Sequence, residues 1–207
     1  MPAARVSNHP VVSQKLTRLR DQDTEPAEFR ALVKDLALLL GVEATADIPT
    51  TPKTVETPLG PCEGIELSSR TSLVPVLRAG LGMTEALSRL LPEADIRHLG
   101  YARNETTLEP EIYYSPATPN PAPDLALVLD PMLATGGSAC DAVQVVKEWG
   151  ATEVRFLGIL GAPEGVEKLS ATHPDVAIFL CGIDHQLNEK GYILPGLGDA
   201  GDRQFST

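Results

Sequence analysis

Cysteine is scarce. Only Cys62, Cys140 and Cys181 occur in 207 residues, widely spaced and odd in number. They form no CxxC pair and no metal ladder, so the spacing excludes a disulfide framework and a zinc module; reduced thiols in a cytoplasmic protein are expected. Basic residues are outnumbered, 17 against 28 acidic ones, giving a net charge of −11. A field of that sign repels nucleic-acid backbones and acidic membranes. Aromatics make up only 4%, and no basic run or aromatic ladder marks a nucleic-acid module. Nothing approaches the ~18 consecutive apolar residues of a membrane span. The first ten residues, MPAARVSNHP, lack the apolar centre of a signal peptide. His9, His98, His173 and His185 show no metal-ligand spacing and read as structural or solvated.

What is present suffices for a core: 43% of residues are hydrophobic and 22% charged, a globular composition. The length fits a single domain over residues 1–207. A helix is expected from about Pro10 to Asp21. A stronger one runs from Thr24 to Leu40, with Thr24 as cap, Pro26 in the first turn and Gly41 after the last apolar residue. Its apolar positions Phe29, Leu32, Val33, Leu36 and Leu40 keep the 3.6 period. Lys53 to Leu67 is broken by proline and glycine, leaving Val55 and Ile65 as strand-like islands. The apolar run Leu73 to Leu77 ends at Arg78, and a helix follows from Leu81 to Leu91. Ile96 to Tyr101 reads as a strand, and Glu111 to Tyr114 could return as a hairpin arm. Ser115 to Pro123 holds four prolines and reads as a loop.

Leu125 to Leu129 is apolar without alternation, which suits a parallel strand buried on both faces. A helix carrying Ala142, Val145, Val146 and Trp149 follows, then a strand Val154–Leu160, a helix Pro163–Ala171 and a strand Val176–Cys181. This alternation implies a doubly wound α/β sheet, mainly parallel. In such sheets ligands bind beyond the carboxyl ends of the strands.

Three segments lie where that rule points. In the first, Asp130-Pro131-Met132-Leu133-Ala134-Thr135-Gly136-Gly137-Ser138 joins a buried strand to a helix start. The glycines let backbone N–H groups turn inward, Thr135 and Ser138 add hydroxyls, and the helix dipole completes a cradle for a phosphate monoester. It is not a Walker loop, because no lysine follows the glycines, nor a nucleophile elbow. A plain helix cap is the bland alternative; Asp130 directly after the buried strand weighs against it. In the second, Arg78 precedes Ala79-Gly80-Leu81-Gly82, and its guanidinium can grip a phosphate bidentately. On its own this would be an ordinary glycine turn with a surface arginine. The third is Tyr192 to Arg203. Gly196 to Gly201 formally matches GxGxxG, but only six residues remain and no helix is expected to follow. A floppy tail is the default for a terminus; the apolar Tyr192-Ile193-Leu194-Pro195 argues for a docked loop.

Together the phrases VPVLRAGLGM, YARNETTLEP, DPMLATGGS, APEG, HPDV, LNEKGYILPGLGDAGDR and EATAD resemble the uracil phosphoribosyltransferase family, from about His9 to Arg203. Asp130-Pro131 stands where most of the wider superfamily has two adjacent acids, and the YILPGLGDAGDR ending is more specific still. The tail Gln204-Phe205-Ser206-Thr207 departs from the family, which usually has glycine before the threonine and often a final lysine; the segment before His9 matches poorly.

The resemblance implies a type I phosphoribosyltransferase fold with a small hood from the terminal segments and a β-hairpin arm at about 101–115. It implies transfer of the phosphoribosyl group from 5-phosphoribosyl 1-pyrophosphate (PRPP) to uracil, giving uridine monophosphate (UMP) and pyrophosphate. Position by position, it assigns PRPP to Arg78, Arg103, Asp130 through Ser138, and Asp199, and uracil to Ile193, Gly198, Asp199 and Ala200. Asp130, Arg78 and Asp199 would be catalytic. Mg²⁺ is implied as cofactor, bound through PRPP with no direct protein ligand. A homodimer or homotetramer is implied, with GTP a candidate effector. Two other readings share the fold: a regulatory protein that senses uridine nucleotides and binds RNA, and a transferase for another base. Net charge argues against the first and the Tyr192–Arg203 ending against the second.

Overall fold

The computed structural model describes residues 4–103 and 110–207. In chain order the elements are β1 (Arg5–Val6), α1 (Pro10–Arg20), α2 (Pro26–Ala44), β2 (Thr50–Thr57), β3 (Gly60–Leu67), β4 (Thr71–Leu77), α3 (Leu81–Leu90), β5 (Asp95–Ile96), β6 (Leu99–Arg103) and β7 (Pro110–Tyr114). They continue with β8 (Leu125–Leu129), β9 (Met132–Leu133), α4 (Gly137–Glu148), β10 (Glu153–Gly161), α5 (Pro163–Thr172), β11 (Ala177–Ile183), β12 (Gln186–Leu187), β13 (Ile193–Leu194) and α6 (Ala200–Phe205). The main sheet has the order β1-β11-β10-β8-β4-β6-β7, with β5 on β4 and β9 on β10. Every pairing in it is parallel except β6 with β7. This is the expected doubly wound α/β architecture.

The apolar run of β8 is buried throughout because both faces are covered. Leu125, Leu127 and Leu129 join the cluster built with α1, α2 and α3; Ala126 and Val128 join the cluster built with α4 and α5. The alternation is the pleat of a strand sorting its side chains between two helical layers. Each leucine buried this way contributes roughly 1.5–3 kcal/mol. Centred in the sheet, β8 delivers Asp130 to its carboxyl end.

Several expectations need correction. The second helix does not stop at Gly41 but continues to Ala44. Gly41 is buried, and a Cβ there would run into Leu87, so its glycine serves the close packing of α2 on α3 and not a helix end. Thr24 does not cap α2. Glu25 occupies that position without a side-chain bond, and the Thr24 hydroxyl donates to the Arg18 carbonyl at the end of α1 (2.6 Å). Lys53 to Leu67 is no broken stretch: β2 and β3 pair antiparallel over their full lengths. Nearly every residue of this hairpin is exposed, so neither face carries an apolar period. The arm is an antiparallel β6–β7 pair with an irregularity at Gly100/Tyr101; residues 104–109 within it lie outside the described residues. A helix does follow the terminal glycines, since α6 begins at Ala200 inside the GxGxxG match. Finally, β1 adds a parallel strand beside β11 from the segment that had no clear reading.

Candidate active site

The loop after β8 is bound to the sheet before it turns. Asp130 N–H donates to the Leu157 carbonyl (3.2 Å), and the Pro131 carbonyl accepts from Ile159 and Leu160 (3.0 and 2.9 Å). Met132 and Leu133 form β9 against β10. Met132 N–H donates to Asp130 Oδ1 (3.1 Å), which fixes the carboxylate across the loop's start. The chain then turns at Gly136, whose φ of +79° suits a residue without Cβ. Gly136 occupies the N-cap position of α4 and offers no side chain to it. The N–H groups of the first helical turn therefore sit on the cavity wall with the positive end of a twelve-residue helix behind them.

Opposite this loop lies the terminal segment. Ile193 and Leu194 pair with Gln186 and Leu187, and the chain then enters α6 with Asp199 as its cap; Asp202 N–H donates to Asp199 Oδ1 (2.9 Å). Two arginines hold it in place, Arg20 at the end of α1 and Arg203 in α6 itself. Arg20 grips Asp184 with both terminal nitrogens (2.7 and 2.6 Å) and donates to the Gly196 carbonyl (2.9 Å). Asp184 in turn accepts from Gly196 N–H (2.7 Å). Burial alone would raise the Asp184 pKa, but the Arg20 guanidinium and the Gly196 N–H outweigh it and hold the carboxyl below its ordinary value. Arg203 lies over the Phe29 ring at 4.4 Å and donates to the carbonyls of Leu19 (2.9 Å), Leu197 (2.8 Å) and Asp21 (2.6 Å). The terminus is docked, not floppy.

Between the two walls is a cavity of about 570 Å³. Arg78, Asp130, Met132 through Ser138, Ile193, Gly198, Asp199 and Ala200 all line it. Pro131 does not; it is buried and anchors the loop through its carbonyl. Arg103 ends β6, and its side chain lies outside the described residues. The peptide between Leu77 and Arg78 is cis. Half-exposed, the Arg78 guanidinium pairs with Asp202 (3.2 Å). A smaller recess of about 320 Å³ shares Arg78, Asp130, Ser138 and Asp199 and is also lined by Tyr101. Burial, and then the charge of Asp141, raises the Tyr101 pKa.

Sequence reasoning missed Arg20, Asp184 and Gln204. The first two meet across 164 positions, and Gln204 lies in the tail that departs from the family pattern. Among the described residues, no group of three His, Cys, Asp or Glu could hold a metal ion. Asp130 and Asp199 are hard oxygen donors on the cavity wall. Such a sparse donor set fits Mg²⁺ arriving on a phosphate-rich substrate, since that ion keeps its waters and needs few carboxylates.

A family model described as uracil phosphoribosyltransferase matches residues 6–207. The chain belongs to the uracil phosphoribosyltransferase family. It is 53% identical over 207 residues to the uracil phosphoribosyltransferase of Roseiflexus sp. (strain RS-1), covering 100% of both chains. It is 46% identical over 208 residues to that of Halalkalibacterium halodurans, again covering 100% of each. Among solved structures, the AQ2163 protein from Aquifex aeolicus superposes with a TM-score of 0.93 at 37% identity, covering 98% of this chain and 97% of that one. Adenine phosphoribosyltransferase from Trypanosoma brucei shares the fold alone, with a TM-score of 0.54 at 15% identity over 87% of this chain and 82% of that one. The sheet is thus that of a type I phosphoribosyltransferase, and the family is one of pentosyltransferases.

Proposed function

We propose that the protein transfers the 5-phosphoribosyl group of PRPP to uracil, forming UMP and pyrophosphate in pyrimidine salvage. One observation supports the reading above the others. A phosphate-type cradle at the start of α4, the Arg78 turn and the docked terminal loop line one cavity, so a sugar phosphate and a base can meet there.

Uracil N1 forms a bond to C1′ of PRPP, the C1′–oxygen bond to pyrophosphate breaks, and the N1 proton passes to water. N–H groups and hydroxyls of Thr135 through Ser138 hold the 5′-phosphate against the helix dipole. Asp130 accepts from the ribose hydroxyls, and its charge steadies positive charge developing at C1′. Arg78 exchanges Asp202 for the pyrophosphate group, and the family resemblance assigns Arg103 to PRPP as well. Asp199 lies beside both substrates. Asp130 and Asp199 would face a Mg²⁺ ion brought in with PRPP, which would supply charge neutralisation for the leaving pyrophosphate. The protein works by positioning and by fixed charge, without a covalent nucleophile.

The base is read by backbone. Uracil presents two carbonyl acceptors flanking the N3–H donor, and main-chain groups of Ile193 and Gly198 to Ala200 can supply the complement. Cytosine inverts two of these positions and would leave buried groups unpaired. Each unpaired group costs about 1–3 kcal/mol, and sites built on such pairing reject mismatches strongly.

No helix among the described residues is long and apolar enough to cross a membrane. A cytoplasmic site of action rests on the free thiols Cys62, Cys140 and Cys181. One domain carries the whole site, with the docked termini as its hood. The protein works as a homodimer or homotetramer in this reading. The β2–β3 hairpin supports self-association by exposing Val55, Leu59, Ile65 and Leu67 to solvent. GTP as an effector rests on the family resemblance, and rates with and without GTP test it. The function itself is tested by incubating purified protein with PRPP, Mg²⁺ and a panel of bases. Uracil-dependent UMP formation, with little product from cytosine, is expected. Equal rates with both bases would reject backbone readout, and no UMP would reject the activity.

A further inference from the structure

We infer that Gln204 is a positioning residue that joins the base-reading loop to the pyrophosphate loop and makes the binding of one substrate felt at the site of the other. The inference rests on the function proposed above. Gln204 is completely buried at the end of α6. Its Nε2 donates to two carbonyls, that of Ala200 in the first turn of α6, where the uracil-reading residues end (2.8 Å), and that of Ala79 beside Arg78 (3.1 Å). These carbonyls belong to segments more than a hundred residues apart, and one side-chain nitrogen holds both. The backbone of Gln204 is fixed from behind, where its carbonyl accepts from Arg30 on α2 (2.7 Å).

The other half of the amide shows that this link has a cost. Oε1 has no hydrogen-bond partner among the described residues. It lies against Gly82 in the first turn of α3, where a Cβ would overlap it. A buried, unsatisfied carbonyl disfavours folding, and an apolar side chain of similar size would fill this space without that penalty. The amide also demands glycine at position 82. What it supplies in return is the two-way Nε2 bridge. Any shift of Ala200 as uracil seats is carried to the Ala79 carbonyl, and so to the backbone that presents Arg78. Coupling of this kind is reciprocal, so PRPP must tighten uracil by the same factor.

Steady-state UMP formation by the full chain, with both substrates varied, tests this. In the wild type, KM for uracil should fall about fivefold or more between low and saturating PRPP, the lower range of ordinary site-to-site coupling. Gln204→Leu removes the bridge and should bring that ratio to about one, with UMP still formed at saturating substrates. A residue that merely fills space would lower the melting temperature and leave the ratio intact. If Gln204→Leu does not fold, Gly82→Ala provides the test: it keeps every hydrogen-bonding group and displaces the amide with a new methyl. A wild-type ratio near one, or an unchanged ratio in a folded variant, would overturn the inference. Absence of UMP from the wild type would instead reject the underlying function.

Discussion

Replacing Arg20 by alanine should weaken uracil and spare PRPP. Arg20 makes three hydrogen bonds to the hinge of the terminal loop, two to Asp184 and one to the Gly196 carbonyl. Its removal leaves the Asp184 carboxylate, whose side chain is only 7% exposed, with the Gly196 N–H and little water. Breaking a fully buried pair costs about 3–5 kcal/mol. The Arg20 side chain is 26% exposed, so water reaches part of the gap; about 2 kcal/mol is the corresponding figure for loop docking. That is a factor of about 30 in the docking equilibrium. Only docked molecules bind the base, and the apparent affinity falls with their fraction. Steady-state kinetics of Arg20→Ala should therefore show KM for uracil raised by up to about 30-fold and KM for PRPP changed less than about threefold. Arg20→Lys, which keeps the charge but loses the fork, should fall between. Unchanged KM for uracil, or an equal rise for PRPP, would refute the idea that this clip serves the base.

Asp130→Asn keeps an acceptor for Met132 N–H but removes the charge, and kcat should fall at least about a hundredfold with the melting temperature nearly unchanged. Arg78→Ala should raise KM for PRPP and lower kcat while circular dichroism stays that of the wild type, because the side chain is half exposed and carries no core packing. Thiol labelling of the native protein should modify Cys62 alone. Cys62 is exposed, burial pushes the Cys181 pKa up to about 12, aided by the charge of Glu43, and burial likewise raises Cys140. Rapid labelling at more than one site would contradict this. The Asp184 pKa is lower in the folded than in the unfolded chain, so its contribution to stability is full above the ordinary aspartate range. It is lost as the pH falls through the folded value. Uracil affinity should fail along that limb in the wild type and not in Arg20→Ala, where the clip is already gone.

Buried parallel strands were the most legible part of the chain. Leu125 to Leu129 is apolar at every position because helices cover both its faces, and so it points directly to Asp130 as the residue beyond its end. The glycine-rich turn was legible for a similar reason, since it lies between that buried strand and the next helical pattern, where a parallel sheet places its ligand loops. The β2–β3 hairpin was not, because two solvated faces leave no period to read. Gly41 misled because glycine marks both helix ends and close helix contacts, and only the position of Leu87 separates the two. The apolar Tyr192 to Pro195 already pointed to a docked terminus, but the contacts that hold it were hidden for a different reason. Arg20 with Asp184, and Gln204 with Ala79, are contacts between distant segments that no local pattern records. The helix α6, at six residues, owes its existence to those contacts and not to propensity.

A crystal structure of the protein with UMP tests the central claim most directly. The account predicts the phosphate on the backbone of Thr135 through Ser138 and the uracil edge on Ile193 and Gly198 to Ala200. A nucleotide bound outside this cavity, or a terminal loop swung away from the base, would contradict it.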